Sequence, residues 1–218
     1  MKNQKTYRFY FLVLTLILII TFIISISLGT VSIPLREVII SLFDGEPLKS
    51  SWKYIILDYR LPKAITAILA GGGLAVSGLL MQTLFRNPLA GPFVLGISSG
   101  ASLGVALVIL GSSIFGGVLA SLLISKWGVV IAASLGSFLV LLAVLMVSLK
   151  IRDTMAILII GLMFASITSA IVSVLSYFGS AEQLQQYVFW GFGSLGNVSW
   201  EDLGILFLIY ALGITLGI

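Results

Sequence analysis

The chain is dominated by apolar runs that are long enough to cross a lipid bilayer as helices. A spanning helix needs ~20 consecutive apolar residues. Six runs meet or approach that length, near 9–28, 64–84, 93–110, 128–149, 155–178 and from 203 to the end at 218. With 59% hydrophobic and 9% charged residues, the sequence holds far less charge than the ~25% typical of soluble domains. It therefore predicts an all-α integral membrane protein, a multi-span helical bundle.

The two ends of the chain differ in character. The last run reaches Ile218 after 16 residues and carries no interfacial anchor, so we interpret 1–218 as a single transmembrane domain cut short within its sixth span. At the other end, Lys2, Lys5 and Arg8 precede a 20-residue apolar run. That run exceeds the ~7–15 residues of a secretory signal core, so we expect an uncleaved first span.

Basic residues are densest in the short segments that a cytoplasmic amino terminus would place inside. The segments 1–8, 85–92 and 150–153 carry six Lys or Arg and one acid, whereas six Lys or Arg and seven acids are spread over the much longer outside segments. This asymmetry favours a cytoplasmic amino terminus, with the inverted orientation as the alternative. Because the net charge of +4 follows the topology and forms no single basic face, we expect no nucleic-acid partner.

Several kinds of chemistry are excluded by composition. The chain has no Cys and no His, so disulfides, thiolate chemistry and Cys/His metal sites are absent, and we expect no bound cofactor. No Asp, Glu, Lys or Arg lies in the middle of a predicted span, whereas proton-coupled transport usually requires such groups there. A secondary transporter is therefore disfavoured, although it stays an alternative.

Hydroxyl side chains recur at helical spacing in the fifth predicted span. Ser166, Ser169, Ser173 and Ser176 follow one another at intervals of three, four and three, which places them on one helix face. Such a face can line a solute path, or it can serve helix packing with each hydroxyl bonded to its own backbone. The sequence does not decide between these two interpretations.

Small residues form stripes on two other predicted spans. Gly71 lies four residues from Ala67 and from Ala75, and Gly96, Gly100 and Gly104 follow the same spacing on the third span. Stripes of this kind let membrane helices approach closely. We predict packing within the chain, with dimerisation through such a stripe as the alternative.

Two polar stretches outside the spans have distinct patterns. The long segment 29–62 is predicted to lie outside, with a short helix capped by Ser32 and with Pro34 in its first turn. The segment 181–190 is predicted to form a short helix at the outer mouth, with an ordinary interfacial loop as the alternative.

A series of motifs follows in matching order along nearly the whole chain. They are Arg60-Leu-Pro-Lys63, Leu74-Ala-Val-Ser-Gly78 with Gln82, Asn87-Pro-Leu-Ala90 with Pro92, Leu95-Gly96 before Ser99-Gly-Ala101, Gly161, Trp190, Gly193-Ser-Leu195 and Trp200. This series resembles the FecCD-type permeases, the membrane subunits of binding-protein-dependent ABC importers for iron-siderophores, haem and cobalamin. The resemblance implies ten membrane helices per subunit, of which about six are present here.

The same resemblance implies a function and a set of partners. The chain would be a transport subunit and not an enzyme, carrying an iron chelate (ferric siderophore or haem, with cobalamin as an alternative) across a bacterial inner membrane. Its partners would be a second permease copy, membrane lipid, an extracytoplasmic binding protein and two cytoplasmic ATPase subunits that hold ATP and Mg. A truncated remnant without transport activity is the rival interpretation.

Roles for individual residues also follow from the resemblance. Arg60 and Lys63 match a basic pair that meets acidic residues of the binding protein, with anchoring of a helix end by snorkelling as the alternative. In the family, Arg is more usual at the position of Lys63.

Four further residues resemble positions at the cytoplasmic gate. Asn87 and Leu89 lie in a short turn with two prolines, whose backbone we expect to be fixed. Asp153 and Thr154 match the neighbouring part of the gate, with a plain helix N-cap as the alternative.

Overall fold

The protein is helical throughout the part of the chain that the computed structural model describes, residues 4–43, 45–112, 122–151 and 153–217. Within these ranges five helices are long and apolar enough to cross a membrane: Gln4–Ser27, Ser50–Phe85, Lys126–Ser148, Ala156–Phe178 and Trp200–Gly217. A sixth apolar helix, Ile97–Ile109, is shorter. The predictions of an all-α fold and of several membrane spans are confirmed.

Contacts between Cα atoms divide the chain into two compact units. The first comprises Met1–Gly73 with Leu195–Ile218, and the second comprises Leu74–Ser194. The single domain over 1–218 stays a prediction.

In chain order, the helices of the described residues are α1 (Gln4–Ser27), α2 (Leu35–Leu42), α3 (Ser50–Tyr54), a π-helix (Ile55–Arg60), α4 (Leu61–Phe85), a 3₁₀-helix (Pro92–Leu95), α5 (Ile97–Ile109), α6 (Lys126–Ser148), α7 (Thr154–Phe178), α8 (Ala181–Phe192) and α9 (Trp200–Gly217).

One helical turn in the first unit is wider than a regular α-helical turn because a proline follows it. Pro62 lacks an N–H group, and its ring clashes with the carbonyl four residues earlier in a regular α-helix. The turn before it is a π-helix, in which the Leu61 amide donates to the carbonyl of Ile56, five residues back. One continuous helix therefore runs from Ser50 to Phe85. The last 13 residues of the segment 29–62 belong to this helix and are not a loop, while the predicted outside location of the segment stays a prediction.

The short helix α2 begins later than the sequence indicated. The predicted cap Ser32 was wrong: Pro34 occupies the N-cap position, and its carbonyl accepts the amides of Glu37 and Val38 at 2.9 and 3.1 Å. The residue before a proline is driven out of the α-helical region, so Ile33 cannot begin the helix. The side chain of Ile33 is instead buried, with Val38, Ile26, Ile56 and Ala64, in the core of the first unit.

The third apolar run forms a helix shorter than the predicted segment 93–110. Pro92 opens a 3₁₀-helix, and Gly96 then adopts the left-handed conformation with φ of 74°, which favours glycine. Helix α5 starts only after this break and has 13 residues. The Ser137 hydroxyl on α6 donates to the Ile97 carbonyl at 3.0 Å and thereby satisfies a backbone group at the break.

Glycines bring the backbones of α5 and α6 into direct contact in the second unit. A Cβ added at Gly100 would lie 2.5 Å from the Gly136 carbonyl oxygen, and one at Gly104 would collide with the Ala132 carbonyl. Gly161 on α7 abuts the Val94 carbonyl in the same way. The spacing of Ala132 and Gly136, four residues apart on α6, is the sequence signal for this partner surface.

Gly71 on α4 has a different environment. A Cβ added there would meet no heavy atom within 4 Å among the described residues of the chain, whereas one at the neighbouring Gly72 would lie 2.7 Å from the Tyr210 hydroxyl. The described structure therefore shows no close approach at Gly71. Its packing role stays a prediction.

The close contact between α5 and α6 predicts that a larger side chain at the contact lowers the stability of the protein. Gly100→Ala should lower the free energy of unfolding by about 1–3 kcal/mol, because the added methyl group forces two backbones apart. Gly78→Ala on α4 is the matched control, since a Cβ there meets nothing within 4 Å in the described structure. Equilibrium unfolding of the protein in mixed micelles, followed by circular dichroism, measures both. Equal stability of the two variants would contradict the packing account.

Candidate functional site

A cavity lined mainly by hydroxyl groups lies in the second unit. It has a volume of about 440 Å³ and is bordered by helices α5, α7 and α8. Its lining residues are Ser99, Ser102, Thr168, Ser169, Val172, Ser173, Ser176 and Tyr187. No charged side chain is among these described lining residues, so the cavity is polar but neutral.

Three of the four serines predicted to share a face border this cavity. Ser169, Ser173 and Ser176 lie on α7 at intervals of four and three residues, so successive turns of the helix bring them to the same side. Ser166 is exposed and does not border the cavity; its hydroxyl donates to the Leu162 carbonyl at 3.0 Å. Their role in a solute path stays a prediction.

The sequence did not identify the other side of the cavity. The three-residue separation of Ser99 and Ser102 on α5 is a weak signal for a shared face, and no pattern in the sequence connects Tyr187 with them. Their position opposite α7 depends on how α5 and α8 pack, which no local pattern encodes.

Hydrogen bonds within the helices decide what the cavity offers a ligand. The hydroxyls of Ser99, Thr168 and Ser173 donate to backbone carbonyls three or four residues earlier, at 2.8 to 2.9 Å. Their oxygen lone pairs stay free to accept hydrogen bonds. Ser169 and Ser176 make no side-chain hydrogen bond within the described part of the chain, so each can donate as well as accept. The arrangement can solvate polar groups without holding them by a fixed charge.

Helix α8 borders the cavity and makes one polar contact with α5 and one with Ser112, which follows the end of α5. The predicted short helix over 181–190 is present as Ala181–Phe192, and it starts with a capping box in which the side chains of Ser180 and Gln183 bond to each other's backbone amide. Gln183 also donates to the Ser112 hydroxyl at 2.8 Å, and the hydroxyls of Tyr187 and Ser102 lie 2.5 Å apart.

The turn after α4 is stabilised by a hydrogen bond to the side chain of Asn87. Arg86 has a positive φ of 47°, and the Asn87 side-chain oxygen accepts the Leu89 amide at 2.9 Å. The Asn87 carbonyl also accepts the Ala90 amide at 3.1 Å. The Leu89 side chain is 88% exposed. This geometry matches the fixed backbone that we expected, while the gate role of Asn87 and Leu89 stays a prediction.

The second pair of predicted gate residues begins α7. The Asp153 carbonyl accepts the Ile157 amide at 3.2 Å, which places Asp153 at the N-cap position before the first helical residue, Thr154. The side chain of Thr154 lies outside the described residues. The gate role of this pair also stays a prediction.

Arg60 and Lys63 differ in their surroundings in the first unit. The Arg60 guanidinium donates to the carbonyls of Ile26 and Ser27 at 2.8 Å, and to the carbonyl of Val31. The first two are the last carbonyls of α1, where a cation also complements the helix dipole. Lys63 is exposed, and its ammonium group makes no hydrogen bond or ion pair within the described part of the chain.

Both cations border one cleft of about 500 Å³ in the first unit. The cleft is lined by Ser25, Leu28, Gly29, Thr30, Val31, Ile55, Tyr59, Arg60, Lys63 and Gly196. Three backbone carbonyls occupy only part of the five-donor guanidinium of Arg60. An acidic group could therefore reach both cations, so the predicted docking role stays open beside the observed capping role.

The capping contacts predict that the two cations contribute differently to stability. Arg60→Ala should lower the free energy of unfolding by about 1–3 kcal/mol, because it leaves carbonyls at the end of α1 without their charged donor. Lys63→Ala is the matched control and should leave stability unchanged. The same unfolding titration measures both variants, and equal losses would refute the cap.

Comparison with known proteins gives a consistent result. The family model of the FecCD transport family matches residues 17–218. The vitamin B12 import system permease protein of Klebsiella pneumoniae is 33% identical over 205 residues, which cover 94% of this chain and 56% of that protein. The hemin transport system permease protein of Yersinia pestis is 35% identical over 191 residues, covering 87% and 54% of the two chains.

A solved structure agrees with these relatives. An inward-facing conformation of a metal-chelate type ABC transporter matches with a TM-score of 0.75 and 32% identity, over 93% of this chain and 59% of the other. The chain thus spans a little more than half the length of these relatives. The family match extends over most of the sequence, and the relatives exceed 30% identity over nearly all of it. The chain therefore belongs to the FecCD transport family.

Proposed function

We propose that the protein is the permease subunit of an ABC importer that moves an iron chelate, a ferric siderophore or haem, into the cytoplasm. Membership in the FecCD family across residues 17–218 is the observation that supports this most strongly. One relative is named for hemin and another for vitamin B12, so cobalamin is the alternative cargo.

The proposed energy source lies outside this chain. The predicted spans carry no central ionisable residue that could couple transport to protons. Two partner ATPase subunits would bind ATP and Mg, and this chain would act as a transport subunit without catalysis of its own. Two permease copies in the bacterial inner membrane, each with a cytoplasmic amino terminus, would alternate between outward and inward access. Asn87, Leu89, Asp153 and Thr154 would close the inner end.

The neutral hydroxyl cavity suits the proposed passage of a bulky chelate. A path must accept its cargo without retaining it, and a fixed charge would bind a charged chelate too tightly to release it. Hydroxyl groups instead exchange hydrogen bonds with cargo or water at little net cost. The cavity volume of about 440 Å³ is large enough for part of a chelate. We propose that α7 and its serines form one wall of a larger path.

Reconstitution tests the proposal directly. The natural protein, its ATPase and its binding protein are placed in liposomes, and uptake of a labelled ferric siderophore is measured with ATP inside. Unlabelled ferric siderophore or haem should compete, and an uncoupler should have no effect. Uptake that persists without ATP, or that collapses with an uncoupler, would establish a secondary transporter. Uptake of labelled cobalamin without uptake of labelled ferric siderophore or haem would reassign the cargo.

Filling the cavity should slow transport. We expect Ser173→Phe to reduce the uptake rate several-fold, because the ring occupies space between α5 and α7. Ser166→Phe is the matched control, since Ser166 lies on the same helix but does not border the cavity. Both variants are compared at equal amounts of reconstituted protein. An unimpaired Ser173→Phe variant would remove the cavity from the path.

Charge reversal can separate docking from stability if it is made at Lys63. We expect Lys63→Glu to weaken uptake by weakening affinity for the binding protein, while the free energy of unfolding is unchanged. Lys63→Arg keeps the positive charge at the same site and serves as the control, which should retain the affinity for the binding protein. Binding-protein affinity is measured by titration against each variant. Equal affinities would argue against a docking role for Lys63.

A further inference from the structure

Helix α2 buries polar side chains and exposes apolar ones, which is the reverse of a surface helix in a water-soluble protein. Its buried side chains are Glu37, Val38 and Ser41, with exposed fractions of 3%, 2% and 1%. Its opposite side carries the apolar face of α2, which we define as Leu35, Ile39, Leu42 and the following residue Phe43, with exposed fractions of 49%, 49%, 39% and 84%. Two of the three buried residues are polar, whereas four of the five exposed residues from Leu35 to Phe43 are apolar, the exception being Arg36.

The polar side chains on the buried side have local partners. The Glu37 carboxylate accepts the Leu48 amide at 2.9 Å, which ties the segment after α2 back onto the helix. The Ser41 hydroxyl donates to the Glu37 carbonyl at 2.8 Å. Val38 packs into the core of the first unit. The Leu48 contact and the packing of Val38 fix the rotation of α2, so the apolar face cannot turn inward without breaking them.

The position of α2 in the chain limits what can cover this face. Only seven residues separate it from the end of α1, and the Ser27 hydroxyl donates to the Ile33 carbonyl at 2.7 Å across that connection. Helix α1 is a candidate membrane span, and the apolar side chains of Ile24 in its last turn and of Leu28 just after it are 47% and 59% exposed. The apolar face of α2 thus lies only a few residues along the chain from the exposed apolar end of a candidate membrane span.

We propose that α2 lies in the lipid interface at the carboxyl end of α1, with its apolar face against the acyl chains. With eight residues α2 is about 12 Å long, too short to cross a bilayer but long enough to lie in its surface. Exposed Arg36 on the flank of the face can extend to lipid phosphates. Nearby, Lys49 lies 5.2 Å from the ring centroid of Trp52, a residue type common at membrane interfaces.

A soluble partner explains the face less well than lipid does. A binding protein that associates and leaves would return the face to water in every cycle, and an apolar patch exposed in that way favours aggregation. Lipid covers the face permanently. The inference rests on the proposed membrane location of the spans, and it assigns to α2 the task of holding the segment after it close to the membrane surface.

Depth measurements on spin-labelled protein test the proposal. The chain has no native Cys, so each single variant carries one label. Leu35→Cys and Ile39→Cys probe the apolar face, and exposed Glu46→Cys in the following segment is the matched aqueous control. Leu14→Cys, in the middle of α1, reports whether that span lies in the bilayer at all. Collision with oxygen and with a water-soluble nickel chelate gives the depth of each label in nanodiscs.

We expect the labels on α2 about 5–10 Å below the phosphates, the Leu14 label deeper and the Glu46 label in water. If the α2 labels match the Glu46 label while the Leu14 label is deep, the interfacial helix is refuted and the membrane location stands. A Leu14 label in water would refute the proposed function as well. Labels on α2 that are immobile and reached by neither reagent, with or without binding protein, would show a protein partner and overturn the proposal.

Discussion

The backbone contact between α5 and α6 is the interaction on which the second unit depends. Membrane helices gain nothing from the hydrophobic effect when they meet in lipid, so close packing must hold them together. Gly100 and Gly136 allow this because a side chain at either position would collide with the opposing backbone. With one side of α5 occupied in this way, Ser99 and Ser102 on its other side border the hydroxyl cavity.

Patterns that depend on one helix alone could be predicted from the sequence. The apolar runs predicted the spans because lipid forces the backbone to satisfy its own hydrogen bonds, and the spacing of Ser169, Ser173 and Ser176 predicted a shared face. What depends on neighbouring helices could not be predicted. Tyr187 joins the cavity because α8 packs on α5, and the start of helix α5 is delayed by the left-handed turn at Gly96.

Arg60 and Lys63 show how two similar charges can have different tasks. The guanidinium of Arg60 has several donors in a planar fork, and it reaches three carbonyls at once at the end of α1. An ammonium group would not match that geometry. Lys63, one turn further along the same helix, is exposed and makes no such contacts within the described chain. The sequence motif that contains both residues therefore combines a structural cation with a surface cation.

The π-helix before Pro62 has a geometric consequence for everything on its amino-terminal side. Each residue of a regular α-helix advances the azimuth by about 100°, so one extra residue in a single turn turns the preceding segment by that amount. Trp52 and Ile56 reach the core of the first unit from this rotated segment. Removing one amino acid between Ile55 and Arg60 would take away the wider turn that accommodates the Pro62 ring, and it would also redirect both side chains away from their present neighbours. Length in this turn is thus as constrained as residue type.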